Sequence, residues 1–334
     1  RNLGDGTFRD DSAVTGIADV AGTGLGAVVA DFDGDGAPEL FVANDGMPDR
    51  LWFHRPDGTF EDRALLAGCA VDLDGKAKAG MGVTVADLDF DGDPDLLVCN
   101  LHQESDSLFR NDGGTFTDAT AVLGLGAVSR PFTRFGMGWV DFDDDGHLDL
   151  FQANGRVALH ATRLADDPFA EPNLLFHGLP GGGFEEVIPR GGTARPLLAT
   201  SRAAAFGDVD GDGGVDVLIV NRDAPVHLLR NVVPDRGRWI AFDVLDRSGA
   251  PALGATLTLR AGDRTVVHEI HSASSYLTAN PPRVHLGLGH LDRVTDVRVR
   301  WGDGGETAFG NHGAGRIVTL KPSTPSSSGG RSLF

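Results

Sequence analysis

The chain has little of several things that most enzymes and nucleic-acid-binding proteins display. Cysteine occurs twice, as Cys69 and Cys99. That is too few for a disulfide framework, and the spacing does not suit zinc, so both are read as buried free thiols. Tyrosine occurs once against 47 glycines, a balance suited to many short strands joined by tight turns. No apolar run reaches the length of about 18 residues that a membrane-spanning helix needs. Lys and Arg number 29 against 48 Asp and Glu, for a formal charge of −19, and no basic cluster interrupts this. Such a balance excludes nucleic acid and anionic membrane as partners. Also missing are a Gly-x-Ser-x-Gly elbow, a phosphate loop, a dinucleotide fingerprint and a His-Glu-x-x-His pair. Arg1 stands where an initiator Met would, so the chain is read as a processed form or a fragment. At 334 residues it holds one large β domain or two domains.

What is present is a loop written four times. Asp87-Leu-Asp-Phe-Asp-Gly-Asp-Pro-Asp95 places acids at alternate positions, Asp87, Asp89, Asp91, Asp93 and Asp95, with Gly92 sixth. The same grid falls at Asp31, Asp33, Asp35, Gly36 and Glu39, at Asp141, Asp143, Asp145, Gly146 and Asp149, and at Asp208, Asp210, Asp212, Gly213 and Asp216. Alternating carboxylates on a tight loop point hard oxygens at one centre, and the glycine permits the turn that lets a main-chain carbonyl join them. Two carboxylates about 4 Å apart repel by roughly 4 kcal/mol at an effective dielectric near 20, so the set needs a cation. Calcium suits it better than magnesium, which demands strict octahedral geometry and keeps its waters. Four calcium ions would bring the charge of −19 to about −11. The loops are not EF-hands, because the twelfth position, a bidentate Glu there, is Val42, Val98, Gln152 and Ile219 here. Those residues lie in short apolar runs that read as buried strands, so each loop joins two strands.

Loop starts at Asp31, Asp87, Asp141 and Asp208 are 56, 54 and 67 residues apart, the size of a propeller blade. Thirteen residues after each start stands Asn44, Asn100, Asn154 or Asn221, expected to bond neighbouring backbone. Before each loop runs a strand of small and apolar residues, 26–30, 82–86, 136–140 and 203–207, suited to a crowded innermost strand. After it come further strands at 51–54, 108–111, 174–177 and 228–231. Three are followed by glycine-rich hairpin turns ending in Phe60, Phe116 and Phe184, and Asn2 to Phe8 repeats that hairpin end. The insertion from Gly155 to Asn173 is expected to hold a short helix over 158–164. From residue 236 strands follow without acidic loops, at 239–245, 255–260, 264–271, 283–288, 294–301 and 316–320, and their alternation predicts a small β-sandwich or barrel. Residues 1–235 thus form propeller repeats, 236–321 a second β unit, and 322–334 a flexible tail.

The repeated Asp-x-Asp-x-Asp-Gly-x-x-Asp loop resembles the FG-GAP or VCBS repeats of integrin-type β-propellers. The residues Arg238-Trp-Ile240, Leu253-Gly-Ala255, Ser275-Tyr-Leu277, Arg283-Val-His-Leu-Gly-Leu-Gly289 and Trp301-Gly-Asp-Gly304 resemble the ASPIC/UnbV domain, which accompanies such repeats in the cartilage acidic protein-like family and in bacterial UnbV-like homologues linked to enediyne biosynthesis. The resemblance implies an all-β propeller of calcium-loop blades with an appended β-sandwich. It also implies calcium ligands at positions one, three, five and nine of each loop, with the seventh backbone carbonyl, at Ala37, Asp93, His147 and Gly214, added. The C-terminal motif departs from the family's, reading Ser275-Tyr-Leu-Thr-Ala279 where Gly-Tyr-Leu-Ser-Gln is usual, and Trp301-Gly where Trp-Pro is usual.

Two clusters are candidates for chemistry beyond the loops. Lys78, Arg134 and Arg202 stand nine, seven and six residues ahead of their loops, where equivalent positions in successive blades ring one channel mouth. They are read either as an anion-binding funnel or as partners of nearby carboxylates. His268, Glu269, His271, Tyr276 and His285 offer acid-base groups or metal ligands, with strand alternation placing His271 beside Glu269 and opposite His268. The alternative is that they stabilise a sheet edge or the seam with the propeller. His102, Arg156 and His160 add polar groups of the same kind. The leading function is a calcium-stabilised propeller that binds a glycan, protein or small molecule. The rivals are a secondary-metabolite enzyme, a lyase or cyclase using the channel, and a purely structural module. Millimolar calcium makes a secreted or extracytoplasmic setting the expectation for a binding protein, and the cytoplasm that for a biosynthetic enzyme.

Overall fold

A computed structural model describes residues 1–159 and 162–322. The fold is all-β, and its first part is a row of propeller blades. The first blade runs Gly24–Ala30, Glu39–Asn44, Arg50–His54 and Phe60–Asp62 as one antiparallel sheet in chain order. The second repeats this with Val83–Ala86, Asp95–Val98, Ser107–Asp112 and Thr115–Asp118. The third uses Arg134–Val140, Asp149–Asn154, Leu174–Gly178 and Phe184–Glu186, and the fourth has three strands, Ser201–Gly207, Asp216–Asn221 and His227–Leu229. An acidic loop joins the first two strands of every blade. Asn2 and Phe8 form a bridge of their own, as their hairpin signature predicts.

The inner strands pack side by side, first to second to third to fourth, and glycine makes that approach possible. A Cβ on Gly26, Gly82 or Gly136 would lie 2.6, 2.1 or 2.5 Å from Met81 O, Phe135 O or Ala204 N of the next blade. Between blades the sheets bury layers of large side chains. Phe32, Phe41 and Phe109 fill the first gap, Leu97, Leu150 and Phe176 the second, and Phe151, Phe206 and Ile219 the third. Cys69 and Cys99 are buried free thiols within these layers.

Two expectations for the blades change. Among the described residues of 158–164 none is helical. A helix would need its own backbone pairs, and here the Thr162 carbonyl accepts from Arg156 Nη1 at 2.7 Å. The insertion instead pairs Glu171–Pro172 with Leu198–Ala199. His160 lies outside the described residues, as do positions 323–334 of the expected tail.

The C-terminal unit is a β-sandwich. One sheet has the order Val284–Gly289, Arg238–Val244, Arg316–Leu320, and the facing sheet the order Arg264–Glu269, Thr256–Ala261, Arg293–Arg300, Glu306–Gly313. Ile240, Phe242, Leu257, Leu259, Val297 and Val299 meet between them, fully buried. The strand expected to reach His271 stops at Glu269. The chain then forms a hairpin, Ala273–Ser275 with Thr278–Ala279, that leaves the sandwich and packs on the inner strands of the second, third and fourth blades. Ser275 Oγ accepts the Met137 N–H at 3.0 Å, Asn280 Oδ1 accepts the Phe206 N–H at 2.9 Å, and the Tyr276 ring sits 5.2 Å from that of Phe135.

Candidate functional site

The four loops share one hydrogen-bond pattern. The sixth-position N–H of Gly36, Gly92, Gly146 and Gly213 donates to Oδ2 of Asp31, Asp87, Asp141 and Asp208 at 3.0, 3.1, 2.8 and 3.0 Å. The turn requires φ of 90°, 102°, 95° and 91° at those residues, a conformation that glycine alone adopts freely. Oδ1 of the fifth residue, Asp35, Asp91, Asp145 or Asp212, accepts the N–H of the seventh, Ala37, Asp93, His147 or Gly214. The ninth acid reaches back to the N–H of the second residue, Glu39 to Phe32, Asp95 to Leu88, Asp149 to Phe142 and Asp216 to Val209.

Each loop so folded gathers at least three carboxylates whose oxygens lie within 4.8 Å of one another. They are Asp31, Asp33 and Glu39; Asp87, Asp89 and Asp91; Asp141, Asp143 and Asp145; and Asp208, Asp210 and Asp216. Burial, and then neighbouring like charge, raises Asp31 above its ordinary pKa and carries Glu39 to about 7, Asp87 to about 6 and Asp141 to about 9. Asp31 Oδ1 and Asp87 Oδ1 are buried with no hydrogen-bond partner. Crowded, desolvated carboxylates with orphaned oxygens fit a hard metal ion, which would satisfy the oxygens and remove the repulsion. The ninth position does a second job that spacing does not reveal. In the last three blades its other oxygen takes an N–H from the third strand or just past it, Asn111, Gly178 or Asn231, so it brackets loop to sheet.

The C-terminal unit touches all four loops. Arg300 lies over Gly36 of the first, where a Cβ would be 3.5 Å from Nη1. Arg264 stands 4.8 Å over the Phe90 ring of the second and donates to the Gly146 carbonyl of the third. The third loop also receives N–H groups from Gly237 on Asp143 O at 2.8 Å and from Gly289 on Asp144 O at 2.7 Å, and pairs Asp144 Oδ1 with His285 Nε2 at 2.8 Å. Trp239 crowds Gly213 of the fourth, and Arg236 reaches Asp212 at 3.1 Å.

Between the loops and this unit lies a cavity of about 570 Å³. The first Asp of every loop, Asp31, Asp87, Asp141 and Asp208, borders it, with inner-strand residues such as Val85, Val140 and Phe206 as its walls. From the sandwich come His268, Glu269 and His271. The two imidazoles are stacked, 5.6 Å apart and 11° from parallel. This corrects the expected alternation: the strand ends at Glu269, so His271 comes round beside His268. Burial drives His268 down to about 4 and lowers His271 as well. Tyr276 is elsewhere, packed on Phe135 between the second and third blades. His285 is stacked 5.6 Å from Trp239 and belongs to the docking seam.

Comparison with known proteins agrees with this architecture. A model of the FG-GAP-like repeat matches residues 31–98 and 87–151, and one described as ASPIC and UnbV matches 245–327. The chain thus carries FG-GAP-like repeats followed by an ASPIC and UnbV segment. It is 28% identical over 312 residues to Cartilage acidic protein 1 of Homo sapiens, covering 89% of this chain and 43% of that protein. Against Cartilage acidic protein 1 of Xenopus tropicalis it is 27% identical over 295 residues, covering 84% of this chain and 42% of the other. The chain therefore spans less than half the length of these curated relatives. Among solved structures, an Agrocybe aegerita lectin that recognises non-reducing terminal N-acetylglucosamine aligns at TM-score 0.33 and 18% identity, over 61% of this chain and 51% of that one. The fourth acidic loop, outside the matched stretches, has the same geometry as the FG-GAP-like loops within them.

The expected anion funnel is corrected. Arg134 is wholly buried and its Nε meets Asp106 at 2.8 Å, while Nη1 and Nη2 donate to the Ser129 and Glu104 carbonyls. Lys78 Nζ is held by Ser105, the Asp106 carbonyl and Ser107. Arg202 donates to Gly155 O and Arg156 O and lies 4.2 Å over Phe135. These cations are taken up in tying loops together, and the hairpin of the ASPIC and UnbV segment occupies the space beside them. Arg156 pairs with Glu171 at 3.0 Å, and His102 Nδ1 meets Pro131 O at 2.8 Å. The asparagines do bond backbone: Nδ2 of Asn44, Asn100, Asn154 and Asn221 donates to Pro48, Ser105, Pro172 and Pro225 carbonyls. One loop residue escaped notice. His177, with Nδ1 3.1 Å from Asp149 and 3.8 Å from Asp143, stands at the same register as Arg110 and Arg230, which pair with Asp89 and Asp210. A basic residue at that one place in three blades was the available signal.

Proposed function

We propose that this protein is a calcium-stabilised propeller whose C-terminal unit docks on the filled loops and closes a chamber for a small-molecule partner. The carrying observation is that residues beyond 236 touch all four acidic loops and roof a cavity bordered by the first Asp of each. Calcium is the ion of choice because the donors are hard oxygens on a flexible turn. On this reading residues 1–235 and 236–321 are two units that work as one, and the setting is outside the cytoplasm, where calcium is plentiful. The loop ligands are the first, third, fifth and ninth acids, with the seventh carbonyl, at Ala37, Asp93, His147 and Gly214, completing each set.

The chemistry of such sites is structural. A filled loop adds about 2.7 kcal/mol at a hundredfold excess of calcium over Kd. It also fixes the carbonyls of Asp143, Asp144 and Gly146, onto which the C-terminal unit hydrogen-bonds. Thermal unfolding with excess calcium and with a chelator, together with metal content and limited proteolysis at residues 230–237, tests the proposal. Strong calcium stabilisation with protection of that connection supports it. Unchanged unfolding and cleavage would overturn it.

A further inference from the structure

Resting on the reading that the cavity takes a small molecule, we infer that its ligand has an apolar body and a hydroxyl that donates to the stacked imidazoles of His268 and His271. The walls set the body: Val29, Val85, Val140, Phe206 and Val266 bring apolar surface from four inner strands and from the sandwich. A cavity of about 570 Å³ is of the size that encloses a ligand of several fused rings.

The hydroxyl follows from hydrogen-bond direction. His268 Nδ1 lies 2.8 Å from the Glu269 carbonyl, and a carbonyl only accepts, so Nδ1 carries the proton. In the neutral ring Nε2 is then bare, an acceptor on the cavity wall. His271 is stacked against this ring, and burial lowers its pKa as well. The bare nitrogen of His268, beside a parallel ring, calls for a donor.

The test is a fluorescence titration of the calcium-loaded full chain with two matched probes, pyrene and 1-hydroxypyrene. The expected result is that 1-hydroxypyrene binds about tenfold more tightly than pyrene, the worth of one good hydrogen bond. His268→Phe and His271→Phe should keep pyrene binding and erase the hydroxyl preference. Should either variant not fold, ¹⁵N spectra of the wild-type imidazoles serve instead, with the bare nitrogen shifting on addition of 1-hydroxypyrene and not of pyrene. Equal affinity for pyrene and 1-hydroxypyrene overturns the inference and leaves the chamber standing. No binding by either probe overturns both.

Discussion

In the blades, buried acids share the work that apolar side chains do alone in the C-terminal sandwich. Glu39, Asp95, Asp149 and Asp216 are all nearly inaccessible, and so are Asp106, Arg134 and Gln152. Among the described residues beyond Asn221 no polar or charged side chain is as inaccessible as these, His268 and His271 being half-buried at the cavity, and the sandwich core is Ile, Phe, Val, Leu, Ala and one Trp. The difference teaches what each architecture lacks. A sandwich closes two apolar faces on each other and needs little else. A blade has a thin sheet, an inner strand reduced to small residues and long loops, so it recovers order from carboxylates that bracket backbone N–H groups and, on our proposal, from calcium.

The largest test of that contrast is metal removal. With a chelator, calorimetry should resolve an early transition for the blades, weakened by about 2.7 kcal/mol for each site lost from hundredfold saturation, and a later one for the sandwich that hardly moves. A single transition shifting as a whole would show that docking binds the two regions into one cooperative unit. Next in size are core substitutions. Asp106→Ala strands the Arg134 guanidinium in the interior and should cost about 3–5 kcal/mol in denaturant unfolding, whereas Leu257→Ala in the sandwich should cost about 2–5 kcal/mol through cavity formation alone. Asp106→Asn, which keeps the shape and one acceptor, should recover part of the first loss and has no counterpart for the second.

Smaller still is the effect of the hairpin. Tyr276→Ala removes a ring contact with Phe135 and should cost about 1 kcal/mol, read as faster hydrogen exchange at 273–279 with the sandwich core unchanged. A pH effect separates the regions in another way, since it resides in the sandwich. His268 is lowered from 6.5 to about 4, so between those values the unfolded chain binds the proton and the folded one does not. Stability is therefore complete above 6.5 and falls as the pH drops toward 4, and His268→Phe should flatten that slope.

Much of the fold was legible before any coordinate. The inner strands showed in runs of small residues, because backbones that meet at the distance Gly82 and Gly136 allow leave no room for side chains. The acidic grid showed because every residue of the loop has a fixed position relative to the turn. Other features were hidden for physical reasons. The strand Glu306–Gly313 has no apolar alternation to mark it, being exposed or half-buried throughout at a sheet edge. The hairpin at 273–279 went unread because its residues have no pattern that tells sandwich from propeller. The partner of Arg134 could not be named from the sequence because the buried Asp106 that receives it stands 28 residues earlier, in a different blade.

The sequence by itself determined the repeat, the strands around each loop and the acids of each cluster. It did so because those bonds are short in the chain: sixth residue to first and second to ninth, separations of 5 and 7 in every loop. Only the tertiary structure decided that the C-terminal unit rests on all four loops, that His268 and His271 stack over a cavity, and that Tyr276 leaves them for the propeller. Asp144 and His285 are 141 residues apart, and Met137 and Ser275 138. No local pattern encodes such pairs, since they form only when two finished surfaces, one acidic and one carrying arginine and histidine, fit together.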